Sequence, residues 1–272
     1  MIELKDNIIW FCFPEIHLDA KIGVVFNRTF RIPNDGKTYP LPYEFGRLPI
    51  NQIDISKKQT KHKSIILPMW QSEAMRIQLI SNYSHLHRYI YPFAVRVSIG
   101  ESELIGKPWS KTLDENNCFI TPEQPWTYGY KTENGVLQQF TAGPLEINAT
   151  AEEIADEVGS EKIQFEVFPM RRDKFERRFP AGRYPEEKYL EDRYPKRLFT
   201  KHVYDEKCWA TENDGCFIYM LNSIMWRTIT KQQMPTMPFT ASDYEQMKCP
   251  WYERYREPVT YEPSMKKRVY EI

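Results

Sequence analysis

The chain has 272 residues, with 37 basic and 37 acidic side chains and a formal charge of zero. A general nucleic-acid binder needs a basic footprint, so that class is excluded. Zero net charge also leaves little repulsion between copies, which favours self-association.

Aromatic residues make up 14% of the chain, and 20 prolines outnumber 11 glycines. Tyr and Trp combine an apolar body with a polar tip, so they suit interfaces and clefts as well as cores. No stretch approaches the roughly 18–20 apolar residues a membrane helix needs, so membrane insertion is not expected. The start Met1-Ile2-Glu3-Leu4-Lys5-Asp6 lacks the basic opening and cleavage site of a signal peptide. The five cysteines follow no zinc spacing, so no metal site is assigned and a reducing, cytoplasmic setting is expected.

In chain order, residues 8–13 (IIWFCF) read as a buried strand closed by Pro14. Residues 24–32 alternate, with Val24, Phe26, Phe30 and Ile32 on one face and Asn27, Thr29 and Arg31 on the other. Arg28 falls on the apolar face and must snorkel or find a carboxylate. Pro33-Asn34-Asp35-Gly36 is a turn signal. Residues 39–49 are too proline-rich for a regular element and read as an extended surface stretch. The basic run 57–63 reads as a solvated loop.

Residues 64–80 (SIILPMWQSEAMRIQLI) carry two strand-like pieces joined by a bend at Gln71-Ser72-Glu73. Pro68 stops the first piece, since proline suits a strand end or edge. Residues 93–99 alternate again. Residues 128–140 read as a hairpin turning at Glu133-Asn134-Gly135. Thr150 with Glu153 forms a capping box that opens a short helix over 150–158. Residues 163–168 are another alternating strand. Residues 170–201 shift to mixed charges with Tyr-Pro and Phe-Pro steps and read as a charged arm or loop. Residues 216–230 return to apolar sequence. A helix follows over 242–247, capped by Thr240 or Ser242, with Pro250 opening a further helical piece.

Several phrases together resemble an uncharacterised family of bacterial proteins. They are Arg28-Thr29-Phe30-Arg31-Ile32-Pro33, Tyr39-Pro40-Leu41-Pro42, Leu67-Pro68-Met69-Trp70-Gln71-Ser72-Glu73-Ala74-Met75, Pro122-Glu123-Gln124-Pro125-Trp126 and Pro250-Trp251-Tyr252. The resemblance covers nearly the whole chain and implies no activity or cofactor. Against it, residues 1–25 stand as an N-terminal extension. No flexible Gly/Ser linker divides the chain, so residues 1–272 are expected to form one compact domain, with 240–272 as short helices and tail.

Glu73 and Glu123 each sit beside a Gln and a Trp, giving Trp70, Gln71, Gln124 and Trp126 as candidate binding residues. Paired carboxylates on aromatic platforms are the equipment of glycoside hydrolysis, provided both line one cleft about 5–10 Å apart. The plainer reading of Glu73 is that it accepts backbone or Arg hydrogen bonds and pins the corner. His85-x-His87 would face one way on a strand, but Tyr83 and Tyr89 around them favour loop caps over metal ligands. Neither a Gly-x-Ser-x-Gly elbow nor a phosphate-binding glycine loop is present. Tyr184, Tyr189 and Tyr194 in the arm, and Trp251, Tyr252 and Tyr255 near the end, are interleaved with Arg and Lys, the mixture that dominates protein interfaces.

The expectation is therefore a mainly β protein with short helices, an antiparallel sandwich-like core and long aromatic and proline-rich loops. Its expected role is a non-enzymatic structural or interaction protein without cofactor, whose partners are other proteins, copies of itself first. The alternative is a hydrolase of a sugar-like or small polar substrate using Glu73 and Glu123.

Overall fold

The computed structural model describes residues 1–33, 39, 41–53, 63–99, 102–103, 113, 118–131, 137–142, 162–181 and 204–251. The turn at 34–36, the basic run up to 62, the turn at 133–135, the helix over 150–158 and residues 252–272 lie outside them. So do Tyr184, Tyr189, Tyr194, Tyr252 and Tyr255.

The strands, in chain order, begin with β1 (Ile2–Lys5), β2 (Ile8–Cys12), β3 (Lys21–Phe30), β4 (Glu44–Arg47), β5 (Asn51–Ile53) and β6 (Lys63–Pro68). Next come β7 (Glu73–Ser81), β8 (Tyr83–Ser84), β9 (Tyr89–Ile90), β10 (Phe93–Ile99), β11 (Ser102–Glu103) and β12 (Phe119–Thr121). The last are β13 (Trp126–Thr127), β14 (Gly129–Lys131), β15 (Leu137–Gln139), β16 (Ile163–Pro169) and β17 (Asp214–Leu221). Three short helices accompany them: α1 (Arg172–Arg178), α2 (Ser223–Thr230) and α3 (Ala241–Gln246).

One sheet runs β1-β2-β3-β7-β13, with β4 also on β3. The other runs β11-β10-β16-β17-β6-β5, with β12 also on β10. Every neighbouring pair is antiparallel except β6 with β17. The period-two pattern explains the layering, because alternate side chains leave a strand on opposite faces. Ile22, Val24 and Phe26 of β3 meet Phe165, Val167, Ile218 and Met220 of the facing sheet in one hydrophobic core. Phe26 and Phe165 touch across the layers, edge to face, with centroids 6.0 Å apart. The outer face of β17 carries Tyr219 and Leu221, which α2 covers with Trp226.

The sandwich of antiparallel sheets with short helices is thus the observed architecture, and the structure adds local detail that the sequence pattern did not carry. Asn27 and Thr29 are buried, so the polar face of β3 is not solvated. The proline-rich stretch contains β4, held to β3 at two positions either side of an irregularity. The proposed arm opens with α1, whose Phe175 is fully buried against the core. Residues 1–25 supply β1, β2 and half of β3, inside the first sheet.

Strands β3 and β7 pair along their whole length, from Ile22 opposite Ser81 to Phe30 opposite Glu73. The two ends of this ladder carry the candidate sites. The corner end holds Arg28, Trp70 and Glu73; the turn end holds the loops around Asp19, Ser84 and Glu123.

Candidate functional sites at the two ends of the sandwich

At the corner end, Pro68 ends β6 and a turn at Gln71-Ser72 sends the chain back as β7. Glu73 opens β7 with its side chain fully buried. Its register places it one step diagonal from Arg28 on the inward face. One carboxylate oxygen accepts from the Arg28 guanidinium, and the other accepts the Trp70 amide at 3.4 Å. Burial pushes the Glu73 carboxyl above its usual range, while Arg28 and the Trp70 amide pull it down. The arginine that needed a carboxylate and the glutamate that needed a donor are each other's partner. This is the plainer reading of Glu73: it pins the corner.

The same corner holds the chain's later part. Trp70 Nε1 donates to the Thr236 carbonyl at 2.9 Å, and Arg28 Nη2 donates to the Met237 carbonyl at 2.7 Å. Arg28 also lies 4.6 Å above the Phe239 ring. The Gln71 carbonyl accepts from Arg31 at 3.4 Å. The Tyr244 hydroxyl receives the Arg31 amide at 2.8 Å and donates to the Ser72 carbonyl at 2.7 Å. Trp251, an expected interface residue, is half-buried with its ring 4.9 Å from Tyr244. It therefore takes part in the chain's own packing.

At the turn end, the loop 14–20 and the β8–β9 hairpin lie side by side. Ser84 Oγ donates to Asp19, and the Asn82 amide donates to the Lys21 carbonyl at 2.9 Å. Behind them His17, His87, Tyr91 and Phe175 stack on one another, with the two histidine rings 5.4 Å apart. His17 Nδ1 accepts the Asp19 amide at 3.0 Å, which puts the proton of the neutral ring on Nε2. Burial lowers the His17 pKa, against the pull of Asp19. His87 Nδ1 lies 2.7 Å from the Phe179 carbonyl and so donates to it. Serine, histidine and aspartate meet here, yet the serine gives its proton to Asp19 and receives the His87 backbone amide at 3.4 Å. That arrangement orients a turn and does not activate a nucleophile, which needs a base nitrogen on the hydroxyl.

His85 is exposed beside Tyr83, while His87 is buried on the other side of the turn. The pair does not share a face. Among the described residues no group of three or more His, Cys, Asp or Glu is placed to hold a metal.

Glu123 also belongs to the turn end. Its Oε1 accepts from the Tyr204 hydroxyl at 2.7 Å, and its Oε2 is buried without a partner among the described residues. The Arg178 guanidinium lies 4.5 Å over the Tyr204 ring. Burial pushes the Glu123 carboxyl up; burial and the nearby carboxylate push the Tyr204 phenol up. Gln124 is buried, with its backbone N–H donating to the Ile120 carbonyl at 2.6 Å. Trp126, in β13 opposite Gln78, is on the outward face, its ring 5.4 Å from Tyr128.

The two glutamates are not in one cleft. Glu73 opens β7, whereas Thr121, two residues before Glu123, hydrogen-bonds to Ser81 at its far end. Eight residues of strand span about 26 Å, beyond the separation a glycosidase pair tolerates. Neither are Trp70 and Gln71 brought to Gln124 and Trp126. Tyr204 and His17 were not singled out from the sequence; Tyr204 lies 81 residues from Glu123, and no local pattern links them.

No protein-family model, curated protein or solved structure gives a significant match to this chain. No helix among the described residues is long and apolar enough to cross a membrane.

Proposed function

We propose that this protein is a non-enzymatic interaction protein that self-associates through its turn end. One observation carries this reading. Leu18 and Leu86 are 89% and 65% exposed, on two turns tied together by the Ser84–Asp19 bond, with Tyr83 exposed beside them. Two leucines held outward on a braced platform are poised for burial against another surface. The balance of 37 basic and 37 acidic side chains removes long-range repulsion between copies. Glu73 accepts from Arg28 and from the Trp70 amide, one oxygen of Glu123 accepts from Tyr204, and His87 donates to the Phe179 carbonyl, contacts that suit a braced scaffold. The five cysteines are all free, which supports a reducing, cytoplasmic setting.

Sedimentation velocity over a micromolar-to-millimolar range tests the reading. The wild type should shift from monomer towards dimer. The Leu18→Asp/Leu86→Asp variant should weaken that association at least about tenfold without changing the melting temperature. A wild type that stays monomeric throughout would remove the proposal.

A further inference from the structure

The corner end shows a recognition geometry distinct from the leucine-bearing turns. Residues 234–240 (MPTMPFT) cross the surface there with no helix or strand of their own. Pro235 and Pro238 bracket Thr236 and Met237, so the segment cannot enter a helix and its backbone freedom is already small. Side chains of the corner grip the backbone: Trp70 Nε1 takes the Thr236 carbonyl and Arg28 takes the Met237 carbonyl. Met237 itself is 81% exposed, so the grip reads the chain's course and not that side chain. Specificity comes from Phe239, which enters a ring cluster 4.9 Å from Phe30 and 4.6 Å from Phe45, under the Arg28 cation.

An indole N–H on the carbonyl of a proline-bounded strand, with aromatic side chains beside it, is how grooves take extended proline-rich peptides. Here the ligand is the chain's own segment. The pivot for its release is on the page. Trp226 Nε1 holds the Gln233 carbonyl at 3.1 Å, so the segment leaves the body of the protein at Met234. Beyond it, α3 and Tyr244 follow as one piece. Because exchange between two copies remakes identical contacts, it costs little beyond association itself.

We infer that the corner formed by Trp70, Arg28 and Phe45 is a docking groove for a proline-bracketed, phenylalanine-anchored segment. Residues 234–251 of the same chain fill it in the monomer, and the same segment of a second copy fills it on exchange.

A labelled synthetic peptide of residues 232–251 tests this by fluorescence anisotropy with full-length protein. The Phe239→Ala variant loses its own anchor but keeps the groove, so it should bind the peptide at least about tenfold more tightly than wild type. Adding Trp70→Phe should weaken that binding, and a scrambled peptide should not bind. Phe239→Leu, a milder loss, keeps the test readable should Phe239→Ala fail to fold. Failure of both variants to bind, equal affinity for wild type and Phe239→Ala, or equal binding of the scrambled peptide would each overturn the inference. Mixing Phe239→Ala with a Trp70→Phe copy, both carrying Leu18→Asp/Leu86→Asp, separates it from the turn-end contact. The intact segment of the Trp70→Phe copy, weakly held at home, then meets the intact and vacant groove of the other, and a one-to-one dimer should form; a mixture that stays monomeric refutes exchange.

Discussion

Arg28 and Glu73 illustrate how little of a residue's role is its own. Each charge is nearly or fully withdrawn from water, with 13% and 0% of the side chain exposed. Removing one leaves the other buried and unpaired, a loss of about 3–5 kcal/mol, whereas replacing both by neutral groups recovers much of it. Arg28→Met should therefore lower the urea-unfolding free energy by about 3–5 kcal/mol, and Arg28→Met/Glu73→Gln should be clearly more stable than Arg28→Met alone. A double variant no better than the single one would mean that Arg28 works mainly through the Met237 carbonyl. His17 gives the residue-scale pH dependence. Its pKa is lowered in the fold from an ordinary value of 6.5, so the unfolded chain takes up the proton first. Its stabilising contribution is complete above that ordinary value and is lost as pH falls from it towards the folded pKa. The melting temperature should decline on acidification below about pH 6.5. His17→Gln, which keeps an acceptor for the Asp19 amide, should flatten that part of the decline.

At the scale of elements, α2 depends on one side chain. Asn222 Oδ1 accepts the Ile224 amide at 3.0 Å and the Met225 amide at 2.9 Å, satisfying two donors that have no partner within the helix. Asn222→Ala should cost about 1 kcal/mol and speed amide exchange at those two positions. The same scale shows what the sequence could and could not disclose. Strands β3, β7, β10 and β16 were readable because alternation is local, β2 because a short apolar run closed by proline is local too, and the Thr240 cap of α3 is equally local, with its Asp243 side chain returning to the Thr240 amide at 2.7 Å. Helix α1 was hidden because six of its seven residues are charged and Phe175 alone is buried. Strand β4 was hidden because its existence rests on pairing with Asn27 and Thr29, not on its own residues, and because Gly46 turns to a φ of 89° within it. The parallel partnership of β6 with β17 leaves no trace in either segment. For the sites, the sequence showed that Arg28 needed an acid and Glu73 a donor. It did not show that they meet, nor that Glu123 answers to Tyr204, because those pairings are made by the register of distant strands.

For the whole molecule, the central ladder of β3 and β7 decides whether the two ends are separate devices or one. The turn end and the corner end share no side-chain contact described above, but both are fixed to this ladder, and its inward face is the middle of the core. Phe26 sits at that middle, fully buried and packed on Phe165 of the other sheet. Phe26→Ala removes an aromatic ring from a site that both sheets hold rigid, with an expected loss of about 3–5 kcal/mol. If the sandwich unfolds as one cooperative unit, that loss is felt equally at both ends. Hydrogen exchange reads each end separately: the Glu73 amide is bonded to the Trp70 carbonyl at the corner, and the Leu79 amide to the Pro125 carbonyl towards the turns. Phe26→Ala should accelerate exchange at both amides by the same factor. Acceleration at one end alone would show that the ladder divides, and the groove at the corner and the leucines at the turns would then open independently.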